Sequence, residues 1–81
     1  MILNFYTDSG HGWLEVYQEE LTIMGISNDI SHYSYTKADK AYLEEDRDAS
    51  IYLNELKSLG IPYSFNEIFH EQSPIRNYSP Y

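Results

Sequence analysis

Residues 41–60, AYLEEDRDASIYLNELKSLG, carry the clearest structural signal in the chain. The short apolar run Ala41-Tyr42-Leu43 passes through four carboxylates, Glu44, Glu45, Asp46 and Asp48, into Ala49, Tyr52, Leu53, Leu56 and Leu59, which recur at helical spacing. Asp46 or Asp48 can serve as N-cap, because a carboxylate there accepts hydrogen bonds from the orphan amides of the first turn. Gly60 stands where a left-handed residue ends a helix. The stretch reads as a strand, an acidic junction and a capped amphipathic helix.

Working outward from it, Ile2 to Thr7 is short, apolar and aromatic, and predicts a first strand. Asp8-Ser9-Gly10-His11-Gly12 predicts a turn in which the glycines accept positive φ, and Trp13 to Val16 the returning strand of a hairpin. Tyr17 to Gly25 changes to a helical period, with Glu19 and Glu20 in the first turn and Gly25 as the stop. Ile30 to Thr36 alternates as a strand, with Ser31, Tyr33 and Tyr35 on one face, and Lys37 to Lys40 turns it back into Ala41. Beyond Gly60, Ile61 to Phe69 alternates again, with Pro62 marking an edge strand. The order β-β-α-β-β-α-β predicts a single small α+β domain with a mainly antiparallel sheet of about five strands and both helices on one face. We assign residues 1–69 to that domain. Residues 70–81 are an extended C-terminal tail packed on it, anchored by Ile75, Tyr78 and Tyr81.

With 81 residues, the chain is one domain that buries only roughly 60% of its unfolded surface. Its 42% hydrophobic and 16% aromatic content is enough to offset chain ordering, so the chain is globular rather than disordered. Nine tyrosines are more than so small a core holds, which places some of them at the surface. The absence of cysteine removes disulfides, thiolate nucleophiles and thiolate-bound zinc. MILNFYTD has no basic n-region and no apolar run of signal length, and no segment approaches the roughly 20 apolar residues of a membrane span. A soluble, cytoplasmic protein is the expectation. A net charge of −8 with only five basic residues argues against direct nucleic-acid binding and toward basic partners.

The segments FYTDSGHGWLEV (5–16), YSY (33–35), AYLEEDRDA (41–49) and SPIRNYSPY (73–81) resemble a family of small uncharacterised acidic proteins found in bacterial genomes and their phages or prophages. Where that family has a Pro-Arg-Ser-like run after the GHGWLEV segment, this chain has Tyr17-Gln18-Glu19. The resemblance implies a mobile-element setting, in which short acidic proteins act by occupying a host protein. It implies no catalytic role.

Three candidate chemistries remain. Asp8, Ser9 and His11, with Trp13 and Glu15 beside them, could form a small-molecule or metal-dependent site, but a catalytic triad is assembled from distant segments around a buried orienting group, so an exposed turn is the better reading. His11, His32 and His70 lack metal-ligand spacing, and we assign no metal and no cofactor. The acidic junction is the sharper feature. Duplex DNA carries one charge per about 1.7 Å, so the net charge matches roughly 14 Å of duplex, too little for DNA mimicry but enough to fill a local basic groove. Tyrosines beside the carboxylates would stack on arginine.

These observations predict a non-enzymatic interaction protein that binds and inhibits a basic host protein of nucleic-acid handling, defence or regulation. Its contact set is Glu44, Glu45, Asp46 and Asp48 with Glu15, Glu19, Glu20 and Tyr42. The alternatives are a ligand site at Asp8, Ser9, His11 and Trp13, and a homodimer that pairs an exposed strand edge. Arg76 is expected to pair with Glu44 or Glu45 and hold the tail.

Overall fold

In ILNFYT and GWLEVY the side chains that can leave water alternate with those that need it, so each strand offers one face to a helix layer and one to something less apolar. In the computed structural model, which describes residues 1–81, these segments are β1 (Ile2–Thr7) and β2 (Gly12–Tyr17). They are followed by α1 (Gln18–Ile23), β3 (Tyr35–Lys37), β4 (Lys40–Glu44), α2 (Asp48–Ser58), β5 (Ser64–Phe69) and β6 (Ser79–Pro80). The fold is α+β, with one six-stranded sheet in the order β5-β1-β2-β4-β3-β6. All neighbours are antiparallel except β1 and β5. That exception follows from α2: a helix between two strands carries the chain back across the sheet, so β5 starts at the same end as β4 and β1. β6, a strand the sequence pattern did not announce, extends the sheet beyond β3.

Both helices pack on one face. Leu3, Leu14, Val16, Ala41 and Leu43 point to that side and meet Leu21 of α1 and Ala49, Tyr52 and Leu56 of α2 in a single buried cluster. Leu14, Leu43 and Leu56 are fully buried, and each such side chain contributes roughly 1.5–3 kcal/mol. The two helices also end alike. The N–H of Gly25 donates to Thr22 and that of Ile26 to Leu21, and Gly60 and Ile61 repeat the pattern onto Lys57 and Leu56. Gly25 and Gly60 carry φ of 73° and 69°, as this 6→1, 5→2 closure requires, and Ile26 and Ile61 then fold back onto the core.

The opposite face is closed by the tail. Trp13, Tyr42 and Ile75 form a second buried cluster, with Tyr6, Tyr35 and Tyr78 packed around it. Ser73 accepts a hydrogen bond from the Ile75 amide at 3.3 Å and starts a 3-10 turn, Pro74–Asn77. β6 then pairs with β3, and the Tyr81 hydroxyl meets Ser27 Oγ at 2.7 Å. Desolvation here, followed by the Glu15 carboxylate facing them, raises the pKa of Tyr6 and Tyr42 above the ordinary phenol value.

Three local expectations change. Only Tyr35–Lys37 of the alternating 30–36 segment is a strand. The preceding residues turn because Ser31 and Ser34 direct their donors to Asp48. Asp48 is the first residue of α2 rather than its cap, the N-cap position is held by Arg47, and no side chain caps this helix. Neither Gly10 nor Gly12 has positive φ. Gly12 is required for another reason, since a Cβ there would lie 2.7 Å from the Phe5 ring and 2.8 Å from Glu45 Oε2. No helix is long and apolar enough to cross a membrane.

The β3–β4 turn carries a testable strain. Ala38 has φ of 54°, a left-handed conformation that costs a residue with a Cβ about 1–2 kcal/mol. Gln18 holds the turn in place, donating through Nε2 to the carbonyls of Ala38 and Lys40 and through its amide to Asp39. Ala38→Gly is expected to raise the unfolding free energy by about 1 kcal/mol. A urea midpoint equal to or below that of the parent chain would disprove the strain.

Candidate functional site

The β1–β2 turn is built by Asp8. Its Oδ1 accepts the amides of Gly10 at 2.9 Å and His11 at 2.8 Å, and the Asp8 amide donates to the His11 carbonyl at 2.9 Å. Arg76 of the tail closes on the same carboxylate, with Nε at 2.7 Å from Oδ2 and Nη2 at 3.1 Å from Oδ1. The Asp8 side chain is left 3% exposed. The tail arginine thus pairs with Asp8, not with Glu44 or Glu45 as the sequence led us to expect. The 3-10 turn sets Arg76 directly over the β1–β2 turn, where the Asp8 carboxylate meets it.

Arg76 Nη2 also lies 2.7 Å from His11 Nδ1. Guanidinium has no acceptor, so Nδ1 must accept, and the neutral ring carries its hydrogen on Nε2. The imidazole stacks on Trp13 at 5.9 Å with a 17° interplanar angle, and the guanidinium sits 5.4 Å from the same indole. Ser9 is exposed and makes no side-chain hydrogen bond, so no Ser–His pair forms in the turn. No three carboxylate or imidazole groups gather as metal ligands.

The Arg76 guanidinium, and then the turn amides, hold the Asp8 carboxyl well below its ordinary value of 3.8. A depressed carboxyl contributes stability that is in full above the unfolded value and lost as the pH falls toward the folded one. Asp8→Asn is therefore expected to lower the thermal midpoint at neutral pH and to flatten its decline between about pH 4 and 2. An acid limb as steep as that of the parent chain would exclude this role.

Strand register brings the acidic junction to the same place. Trp13 on β2 is the cross-strand partner of Glu44 on β4, and Tyr35 on β3 neighbours Tyr42. The result is a cleft of about 370 Å³ lined by His11, Trp13, Tyr33, Tyr35, Glu44, Asp46, Arg47 and Arg76. Segments 5–16, 33–35, 41–49 and 73–81 each place at least one side chain in it. Glu44 Oε1 accepts the Asp46 amide at 3.0 Å. The chain's ion pairs are Lys40–Glu15 and Arg76–Asp8, so Glu44, Asp46 and Arg47 are all without one.

The proposed acidic contact set does not stay together. Asp48 is fully buried, its Oδ2 accepting the Ser31 amide at 3.0 Å, Ser31 Oγ at 2.7 Å and Ser34 Oγ at 2.5 Å. A partner cannot reach it. Tyr42 is buried under the tail. Glu15 lies on the tail-covered face, 3.2 Å from Asn4 Nδ2 and 3.7 Å from Lys40. Glu20 accepts the Tyr17 amide at 3.3 Å and the Tyr52 hydroxyl at 2.9 Å, which ties α1 to α2. Glu19 is exposed on α1 and Glu45 is exposed over Gly12, and neither lines the cleft.

From the acidic set the cleft keeps Glu44 and Asp46, and from the turn set it keeps His11 and Trp13. Two groups thought of as rivals in the sequence share one site. Tyr33, Tyr35, Arg47 and Arg76 were not placed there by the sequence, although the period-two spacing of Tyr33 and Tyr35 already put them on one face. Comparison of the chain with protein-family models, with curated proteins and with solved structures finds no match.

Proposed function

We propose that the chain is a non-enzymatic, cytoplasmic binding protein for a basic partner, engaging it through Glu44, Glu45 and Asp46 beside Tyr33 and Tyr35. The observation that carries this reading is the pair of carboxylates, Glu44 and Asp46, which no cation of the chain neutralises and which open onto an aromatic wall. Unpaired carboxylates next to tyrosine faces suit Lys and Arg side chains, which pair with the one and lie across the other. The mobile-element setting implied by the resemblance makes a host protein of nucleic-acid handling or defence the partner, with inhibition by occupancy as the effect.

The test is the affinity for a C-terminally amidated, arginine-rich peptide at low and high salt. We expect Glu44→Gln, Glu45→Gln and Asp46→Asn together to weaken binding at least about tenfold and to remove most of the salt dependence, with Asp48 left intact because it is buried. Unchanged affinity in the triple variant would refute the assignment.

A further inference from the structure

The cleft offers more than negative charge. Two unpaired carboxylates, Glu44 and Asp46, face it together with one unpaired guanidinium, Arg47, while the charge of Arg76 is met by Asp8. The unpaired set sums to −1 (two carboxylates against one guanidinium), and its opposite charges stay apart rather than satisfying each other. Such a site complements a molecule that carries a cation at one end and an anion at the other.

Its walls narrow the choice of cation. Tyr33 and Tyr35 present aromatic surface beside the carboxylates, and the chain's own Arg76 already lies against the Trp13 ring in the same cleft. A guanidinium is flat, stacks on such faces and donates two parallel hydrogen bonds to a carboxylate, whereas an ammonium is a compact, strongly hydrated point charge. A volume of about 370 Å³ falls at the small-ligand end of known sites.

We infer that the cleft binds arginine bearing a free α-carboxylate, with the guanidinium between Tyr33 or Tyr35 and the carboxylates of Glu44 and Asp46, and the α-carboxylate on Arg47. The ligand is either the free amino acid or the last residue of a chain. This deepens the assignment of a basic partner and rests on the same carboxylates, but it adds a requirement for an anion that general basicity does not have.

Trp13 is the only tryptophan and lies at the cleft, so its fluorescence reports occupancy directly. The titrants are free arginine, agmatine, which lacks the carboxylate, citrulline, which lacks the charged guanidinium, and lysine. Arginine is expected to bind at least about tenfold more tightly than each of the other three. Arg47→Gln, a change at an exposed side chain without an ion pair, is expected to bring arginine down to the level of agmatine and leave agmatine unchanged. Peptides ending in arginine, with the C-terminus free or amidated, identify the source: tighter binding of the free-ended peptide than of free arginine assigns a chain terminus, and the reverse assigns the amino acid.

Equal binding of arginine and citrulline would overturn the inference, as would an Arg47→Gln variant that loses agmatine and arginine alike, or no fluorescence or thermal-midpoint response to arginine. If arginine fails while the amidated arginine-rich peptide still binds with salt dependence, only the free-carboxylate requirement falls. If both fail, the basic-partner assignment falls with it.

Discussion

Asp48→Ala is expected to destabilise the protein by about 3 kcal/mol or more. The carboxylate is fully buried and one of its oxygens accepts three hydrogen bonds from Ser31 and Ser34. Alanine would leave the Ser31 amide and two hydroxyls without that acceptor, one of them the buried Ser34, and would open a small void beside them. Ser34 Oγ in turn accepts the Glu44 amide at 3.0 Å, so the loss reaches the end of β4 and the cleft. The second oxygen, Oδ1, is buried and takes no hydrogen bond from the protein. Asn, which keeps one acceptor but places a donor in the remaining position, should fall between the two. Asp46→Asn is the control, since that side chain is exposed and its carboxylate accepts nothing. Urea unfolding reads all three, and a loss below about 1 kcal/mol for Asp48→Ala would show that the carboxylate does not organise the 31–34 turn.

Ile75→Ala should cost about 2–4 kcal/mol, the range for emptying a filled apolar site. Ile75 is 1% exposed and packs against Trp13 and Tyr42, so the tail behaves as a second core layer on the face the helices leave open. Its loss should also shift Trp13 emission toward longer wavelength, because the indole gains water. A tail that merely rested on the surface would give a change within about 0.5 kcal/mol and no spectral shift. The two outcomes do not overlap.

The helices were readable because their signals are local. Apolar spacing in 49–59 and the glycines at 25 and 60 depend only on neighbours a turn apart, and the structure realises them with matching C-terminal closures. The hairpins were readable for the same reason, since a short turn leaves a strand little choice but to pair with its predecessor. Where a side chain had both a local and a distant partner on offer, the local reading failed. Asp48 could cap its own helix or hold a loop that lies 14 to 17 residues earlier, and it does the second. Burial decides this, because in the low-dielectric interior three donors on one carboxylate outweigh a single exposed cap.

The sequence by itself determined the α+β class, the order of the principal elements, the glycine stops of both helices and the acidic balance. Only the tertiary structure decided which carboxylates remain free. A run such as EEDRD shows four acids in a row of five, but whether each meets water, a serine or an arginine depends on chain segments far away in sequence. Nor could the sequence show that the DSGHGW turn and the acidic junction are neighbours. Cross-strand register between β2 and β4 sets Trp13 against Glu44, and the tail sets Arg76 against Asp8. Those two long-range pairings, not any contiguous motif, make the cleft.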